Sequence, residues 1–267
     1  MKFEDAKRIV IKIGTSTLTN EKDRLNLERV AKISQVLSDL IGRGYEIVLI
    51  SSGAVSVGVG KLNLAARPCD VREKQAVAAV GQCNLMSIYD RCFSEYNQPI
   101  AQVLLTRDVF DNDVRKELAC GTFNRLLDMD VLPIVNENDA ISIDELSYIC
   151  DENLSFGDND HLSAYVSVLI KADALILLTD TDGLYDSNPR ENKNAKLLST
   201  IDKIDDTILD MATVDGSKRG TGGMKSKIMA AKIAVDNKVA TAIINGNEPR
   251  NIYSILKGEK IGTTFDV

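Results

Sequence analysis

The chain has 267 residues, 44 % of them hydrophobic, with a formal net charge of −7 and a pI near 4.9. A chain of this length can bury roughly 70–75 % of its unfolded surface, so it needs no disulfide or metal staple. Its acidic balance argues against nucleic acid or an anionic membrane as principal partner, and any anion site must be a local positive focus. The five cysteines (Cys69, Cys83, Cys92, Cys120, Cys150) are odd in number and form no C-x-x-C pair. They read as reduced thiols, mostly in or near the core, in a cytoplasmic protein. No signal peptide and no membrane-spanning run is expected.

In chain order, Ile9–Ile13 is the first unbroken apolar run and predicts a strand covered on both faces. A helix follows, with Leu27, Val30, Ala31, Leu37, Leu40 and Ile41 on one face and Gly42 and Gly44 as its stop. Ile47–Ile50 is the second strand, Val71–Phe93 a helix, and Ile100–Leu105 the third strand. Val131–Val135 is the fourth, though Pro133 cannot donate to a ladder. Residues 136–159 are polar, acidic and irregular, which in a compact domain points to function. Leu162, Tyr165, Val166, Leu169 and Ile170 make a helical stripe. Ala174–Leu178, the helix Met224–Asp236 and the strand Val239–Ile244 complete the alternation. Such a pattern predicts an α/β fold with a mainly parallel sheet and helices on both faces. The turns at Gly14–Ser16, Ser51–Gly53, Asn136–Asp139 and Thr179–Gly183 each follow a strand and should line one edge, where such sheets bind ligands.

Two lysines beside glycine-rich turns carry the chemistry. Lys12 sits in an apolar strand, an expensive place for an ammonium. It is either an edge lysine reaching water or a charge aimed at phosphate from beside Gly14. Lys227 closes Gly220-Thr221-Gly222-Gly223-Met224-Lys225-Ser226-Lys227 at a helix start, where backbone N–H groups and the helix dipole favour anions. Two such stations suit a transferring phosphoryl group. Ser51-Ser52-Gly53-Ala54 is a tight turn whose hydroxyls suit a carboxylate or phosphate. In Asn136-Glu137-Asn138-Asp139, Asp139 can hold a substrate ammonium, or the group can hold water around Mg²⁺; the ammonium is the better fit. Gly157-Asp158-Asn159-Asp160 reads as an N-cap with an acidic first turn, and Asp160 can also hold the two lysines in register. Thr179-Asp180-Thr181-Asp182-Gly183 lacks the rest of a calcium loop and fits a nucleotide's base or ribose. His161, the only histidine, supports neither a Ser-His-Asp mechanism nor a zinc site. No P-loop or dinucleotide fingerprint is present.

Eight segments in order resemble the amino acid kinase family, in its glutamate-phosphorylating branch. They are Lys12–Ser16, Ser51–Val55, Ala78–Gln82, Leu104–Arg107, Val135–Ala140, Gly157–Asp160, Leu178–Tyr185 and Gly220–Lys227. The resemblance implies a three-layer α/β/α sandwich spanning residues 1–267, with about 1–170 holding the acceptor and about 171–267 the nucleotide. It implies ATP-dependent phosphorylation of the side-chain carboxylate of L-glutamate to γ-glutamyl phosphate, the first step toward proline. Lys12, Lys227 and Asp160 would be catalytic, and Ser52, Asp139 and Asn159 would bind glutamate. ATP would fall on Lys12, Thr179, Asp180, Thr221, Gly222, Gly223, Met224, Lys225, Ser226 and Lys227, with no metal site of the protein's own and Mg²⁺ bound mainly through the ATP phosphates. Proline feedback and a homo-oligomer (dimer or tetramer) are further family traits, and handover of the product to glutamyl phosphate reductase is a further expectation. Acetylglutamate, aspartate, carbamate or UMP as acceptor, or a non-catalytic nucleotide-binding amino acid sensor, are the alternatives. The segment Asp144–Phe156 is longer than the family pattern, and the PUA domain of many members is not expected.

Overall fold

Unbroken apolar runs become the strands of one sheet, because a strand with helices on both faces has no solvent side to make polar. The computed structural model describes residues 2–20, 24–141, 158–189, 191–213 and 223–265. Among them the strands are β1 (Arg8–Ile13), β2 (Glu46–Ser51), β3 (Ile100–Leu105), β4 (Leu132–Glu137), β5 (Ala174–Thr179), β6 (Thr200–Ile201), β7 (Ala240–Asn245) and β8 (Thr263–Phe265). Their order is β3-β4-β2-β1-β5-β7-β8-β6. All neighbours are parallel except β7 and β8. The six expected strands are present; β6 and β8 are too short to show a pattern.

Alternation along β1 divides the core. Ile9, Ile11 and Ile13 join one cluster with residues of α2 (Leu27–Gly42), α4 (Val71–Ser94) and α9 (Asn251–Leu256). Val10 joins the other, with α5 (Asp113–Asp128), α6 (Asn159–Leu169), α7 (Asp206–Thr213) and α8 (Met224–Asp236). The result is helix, sheet, helix in three layers. Lys12 has the parity of Val10, so it emerges on the face that α6 and α8 cover. That placement decides what it can meet.

Helix starts follow capping chemistry. Asn26, Asp70 and Asn112 each accept from the backbone N–H three residues on, opening α2, α4 and α5. α2 ends at Gly42, and Gly44 then turns the chain at φ 90°. Pro133 is accommodated by register. Leu132 N–H donates to the Pro99 carbonyl on the β3 side, so the missing donor of Pro133 faces β2, where pairing begins only at Ile134 with Leu49.

Two departures concern exposure. The edge strand β3 is only partly covered, with Gln102 and Leu104 exposed. Cys69 and Cys83 are exposed and Cys92 and Cys120 half-buried, all four as free thiols, so the expectation of mostly core cysteines does not hold. Cys150 lies outside the described residues. Among the described residues no helix is long and apolar enough to cross a membrane.

α4 packs against α3 (Ala54–Leu62) at glycine contacts. A Cβ on Gly81 would collide with the Ala54 carbonyl, and one on Gly58 with the Val77 carbonyl. Backbone cannot yield as a flexible side chain can. Gly81→Ala is therefore expected to destabilise the fold by about 1–3 kcal/mol through overpacking. Gly121→Ala on α5, with nothing within 4 Å of the new Cβ, should be neutral or slightly stabilising. Thermal denaturation of the two variants checks the contrast.

Candidate active site

The carboxyl ends of β1, β2, β4 and β5 share one edge because the four strands are parallel and in one sheet. Asp158, Asn159 and Asp160 reach that edge at the start of α6. The Asp158 side chain caps the helix, accepting from Asp160 N–H and His161 N–H at 2.9 and 3.1 Å.

Lys12 Nζ lies 2.6 Å from Asp160 Oδ1, and Lys227 Nζ lies 3.1 Å from Asp160 Oδ2. The side chains are 6 %, 8 % and 0 % exposed, for Lys12, Lys227 and Asp160 respectively. One buried carboxylate thus holds two ammonium groups from opposite ends of the chain. Burial pulls the Lys12 ammonium below its usual pKa, against the opposing pull of Asp160, and the Lys227 charge adds to the lowering. Asp158 stands behind this trio. Its Oδ1 meets His161 Nδ1 at 3.1 Å and its Oδ2 accepts the Ser226 hydroxyl. Burial opposes its charge, but the hydrogen bonds from His161 and Ser226 and the Lys12 charge outweigh that, holding the carboxyl well below the usual range.

Gly14 borders the cation pair. A Cβ there would lie 3.4 Å from Lys12 Nζ, and its φ of −85° suits any residue. Gly14→Ala should therefore keep the melting temperature while filling the space beside the ammonium. A displacement of about 1 Å at a transferring group costs on the order of a hundredfold in rate, and steady-state kinetics beside a melting curve test this. On the far side, α8 begins at Gly223 without any side-chain cap, so its first-turn N–H groups keep their partial positive charge.

Next to the trio is a second polar cluster. Asn159 Nδ2 donates to Asn136 Oδ1 at 2.8 Å and to Ser52 Oγ at 2.9 Å. Asn136 Nδ2 donates to Gln82 Oε1 at 3.0 Å. Ser51 Oγ and the buried Tyr89 hydroxyl are 2.9 Å apart. Gly53 turns the chain after Ser52 at φ 103°, a left-handed value that favours glycine, and α3 starts there. Asn159 Oδ1 is buried and has no hydrogen-bond partner among the described residues. An unpaired buried acceptor costs about 1–3 kcal/mol, so this oxygen is notable.

The remaining expected residues fall nearby in chain terms. Asp139 is half-buried in the turn after β4, closed by Ile141 N–H on the Asn138 carbonyl. Thr179 ends β5, and its carbonyl accepts from Gly246 N–H at 2.7 Å, with Asp180 immediately after it. Met224 packs into the core and Lys225 is exposed. That leaves Met224 only its backbone for a ligand, and Ser226 is engaged with Asp158. Thr221, Gly222 and the segment 144–156 lie outside the described residues. Gln82, Asn136 and Asp158 stand within the motifs, but motif spelling alone assigns them no ligand role. Among the described residues no group of three or more His, Cys, Asp or Glu is placed to hold a metal ion.

The sheet is mainly parallel and lies between helical layers, with the paired lysines and glycine turns at its carboxyl edge. The chain belongs to the amino acid kinase family, whose family model matches residues 7–245. Within that class it is 54 % identical over 263 residues to the glutamate 5-kinase of Clostridium perfringens (strain 13 / Type A), covering 98 % of this chain and 96 % of that one. It is 47 % identical to the glutamate 5-kinase of Enterococcus faecalis (strain ATCC 700802 / V583), covering 99 % and 96 %. Among solved structures, isopentenyl phosphate kinase from T. acidophilum matches with a TM-score of 0.65 at 19 % identity, covering 97 % of this chain and 100 % of that one. UMP kinase from Bacillus anthracis matches with a TM-score of 0.64 at 16 % identity, covering 98 % and 96 %. These two likenesses show the fold.

Proposed function

We propose that the chain transfers the γ-phosphoryl group of ATP to the side-chain carboxylate of L-glutamate, giving γ-glutamyl phosphate and ADP. The observation that carries this reading is the pair of buried ammonium groups on one carboxylate, one residue along α6 from the Asn159–Ser52 cluster. The near full-length likeness to glutamate 5-kinases supports glutamate as the acceptor.

A carboxylate oxygen is nucleophilic at neutral pH, so no strong general base is required. It attacks the γ-phosphorus, a new O–P bond forms, and the bond to the β-phosphate oxygen breaks with its electron pair leaving on ADP. Catalysis is then placement and charge neutralisation. Lys12 and Lys227 neutralise the migrating group, and Asp160 holds both. Ser52, Asn159 and Asp139 hold glutamate, in the part of the chain up to about residue 170. Thr179, Asp180 and residues 221–227 hold ATP, in the part from about residue 171. Mg²⁺ accompanies the nucleotide, bound mainly through its phosphates.

The product feeds proline synthesis in the cytoplasm. Proline acts as feedback inhibitor, the chain works as a homo-oligomer, and the labile acyl phosphate passes to glutamyl phosphate reductase. A coupled ADP-release assay with hydroxylamine trapping tests the central reading. Hydroxamate is expected with glutamate. Turnover only with acetylglutamate, aspartate, carbamate or UMP would reassign the acceptor, and no turnover with any would leave a nucleotide-binding sensor. Titration of the same assay with proline tests the feedback.

A further inference from the structure

The amide orientations around the acceptor cluster are fixed by one backbone group. Glu137 N–H donates to Asn136 Oδ1 at 2.9 Å. A backbone amide offers no alternative polarity there, so the Asn136 atom facing it must be the oxygen. Asn136 Nδ2 therefore faces Gln82 Oε1. The Asn159 atom 2.8 Å from Asn136 Oδ1 must in turn be Nδ2. That nitrogen's shortest contacts are to Asn136 Oδ1 and Ser52 Oγ, at 2.8 and 2.9 Å, with the Ser51 carbonyl farther off at 3.4 Å. Two consequences follow. Ser52 Oγ is an acceptor within the cluster, so its own proton is directed elsewhere. Asn159 Oδ1 is turned out of the network, and it is the buried oxygen without a partner among the described residues.

We propose that Gln82 is a positioning residue for the acceptor. Through Asn136 and Asn159 it sets the hydrogen-bond polarity of the site. Ser52 then presents a donor to a carboxylate oxygen, and Asn159 presents an acceptor to an N–H group. A donor and an acceptor side by side match an amino acid, which brings both a carboxylate and an ammonium. The inference rests on the phosphotransfer reading above and deepens it. Gln82 itself reaches no substrate; it acts through two other side chains. It is buried on α4, and the close α3–α4 contact at Gly81 fixes the rotation of that helix. Without the Gln82 oxygen, Asn136 Nδ2 loses the acceptor to which it donates. The cluster can then relax only by turning the amides on which Asn159 and Ser52 depend.

The test compares Gln82→Met, which fills the space without an acceptor, with Gln82→Glu, which keeps an oxygen toward Asn136 Nδ2. Gln82→Met is expected to raise KM for glutamate about tenfold while KM for ATP stays within twofold. Gln82→Glu is expected to keep KM for glutamate within about threefold of wild type. An unchanged KM for glutamate in Gln82→Met, or an equal rise in both KM values, overturns the proposal. Should Gln82→Met not fold, Gln82→Glu decides alone, and a rise above tenfold in its KM for glutamate overturns it. The wild-type hydroxamate assay tests the acceptor separately. If the wild type prefers another acid, the variants are compared with that acid, so the two readings fail independently.

Discussion

Asp160→Asn is expected to abolish phosphotransfer within the range of an ordinary assay and to lower the melting temperature sharply. The asparagine keeps the shape of the side chain and loses the charge between Lys12 and Lys227. The two buried ammonium groups would then lose the carboxylate that holds both of them. Removing one partner of a buried ion pair costs about 3–5 kcal/mol, because the remaining charge stays desolvated. For a chain somewhat above 150–250 residues, each kcal/mol moves the midpoint by about 2–4 °C. A fall on the order of 6–20 °C follows. The protein can lessen that penalty by letting Lys12 lose its proton, since burial already pulls its pKa down. That route sacrifices the charge needed for the reaction. The double variant Asp160→Asn/Lys12→Met separates the two effects. It removes one of the two buried cations that faced Asp160, so much of the lost melting temperature should return while turnover does not. A single variant that melts within 2–3 °C of wild type and keeps a tenth of its turnover would mean that Asp160 is not the tie between the lysines.

Much of this arrangement is legible in the amino-acid sequence. Strand runs such as Ile9–Ile13 and Ala174–Leu178 are readable because both sheet faces are covered, and an unbroken apolar stretch so short can satisfy its backbone in few ways except as a buried strand. The helix over Met224–Asp236 is readable from its glycine-rich start. α5 is not, because only Phe123 and Leu127 are buried along it while Val114 and Leu118 are exposed. A helix with so thin an apolar stripe has little period to detect. α1 (Thr15–Leu18) is too short to have any. The cysteines mislead for a related reason. Free thiols are usually buried, but Cys83 falls on the outward side of α4, and its parity there depends on where the helix packs.

The site divides in the same way. Lys12, Lys227 and Asp160 each adjoin a turn that follows a strand or opens a helix, so their convergence follows from the topology of a parallel sheet. The links from Gln82 to Asn136 and from Ser226 to Asp158 span 54 and 68 residues. They depend on how α4 and α8 are rotated about their own axes, and no local pattern encodes that. Motif spelling places these residues at the right edge without saying which atoms they meet. Ser226 illustrates the gap. Sequence puts it with the nucleotide, whereas its hydroxyl is held by Asp158, so it joins the start of α8 to the start of α6.

Lys12→Ala and Lys227→Ala should each lower turnover on the order of a hundredfold or more, the usual consequence of removing one preorganised charge from a transition state. Lys12 has its pKa lowered from 10.5, first by burial and then by the Lys227 charge, with Asp160 acting against both. Below its folded value Lys12 is charged in the folded and unfolded chain alike. Between that value and 10.5 the unfolded chain holds a proton that the folded chain has released. The unfolded state then binds more protons, so this residue's contribution makes the fold more stable as pH rises through that window. Activity moves the other way, because a neutral amine cannot neutralise a migrating phosphoryl group. The wild-type rate is therefore expected to fall on the alkaline side before pH 10.5 while chemical denaturation shows no matching loss of stability from Lys12. Lys12→Ala, lacking the titrating group, should show a low rate without that alkaline limb. A wild-type rate that stays level through pH 10.5 would place the Lys12 ammonium outside the reaction, whatever its position beside Asp160.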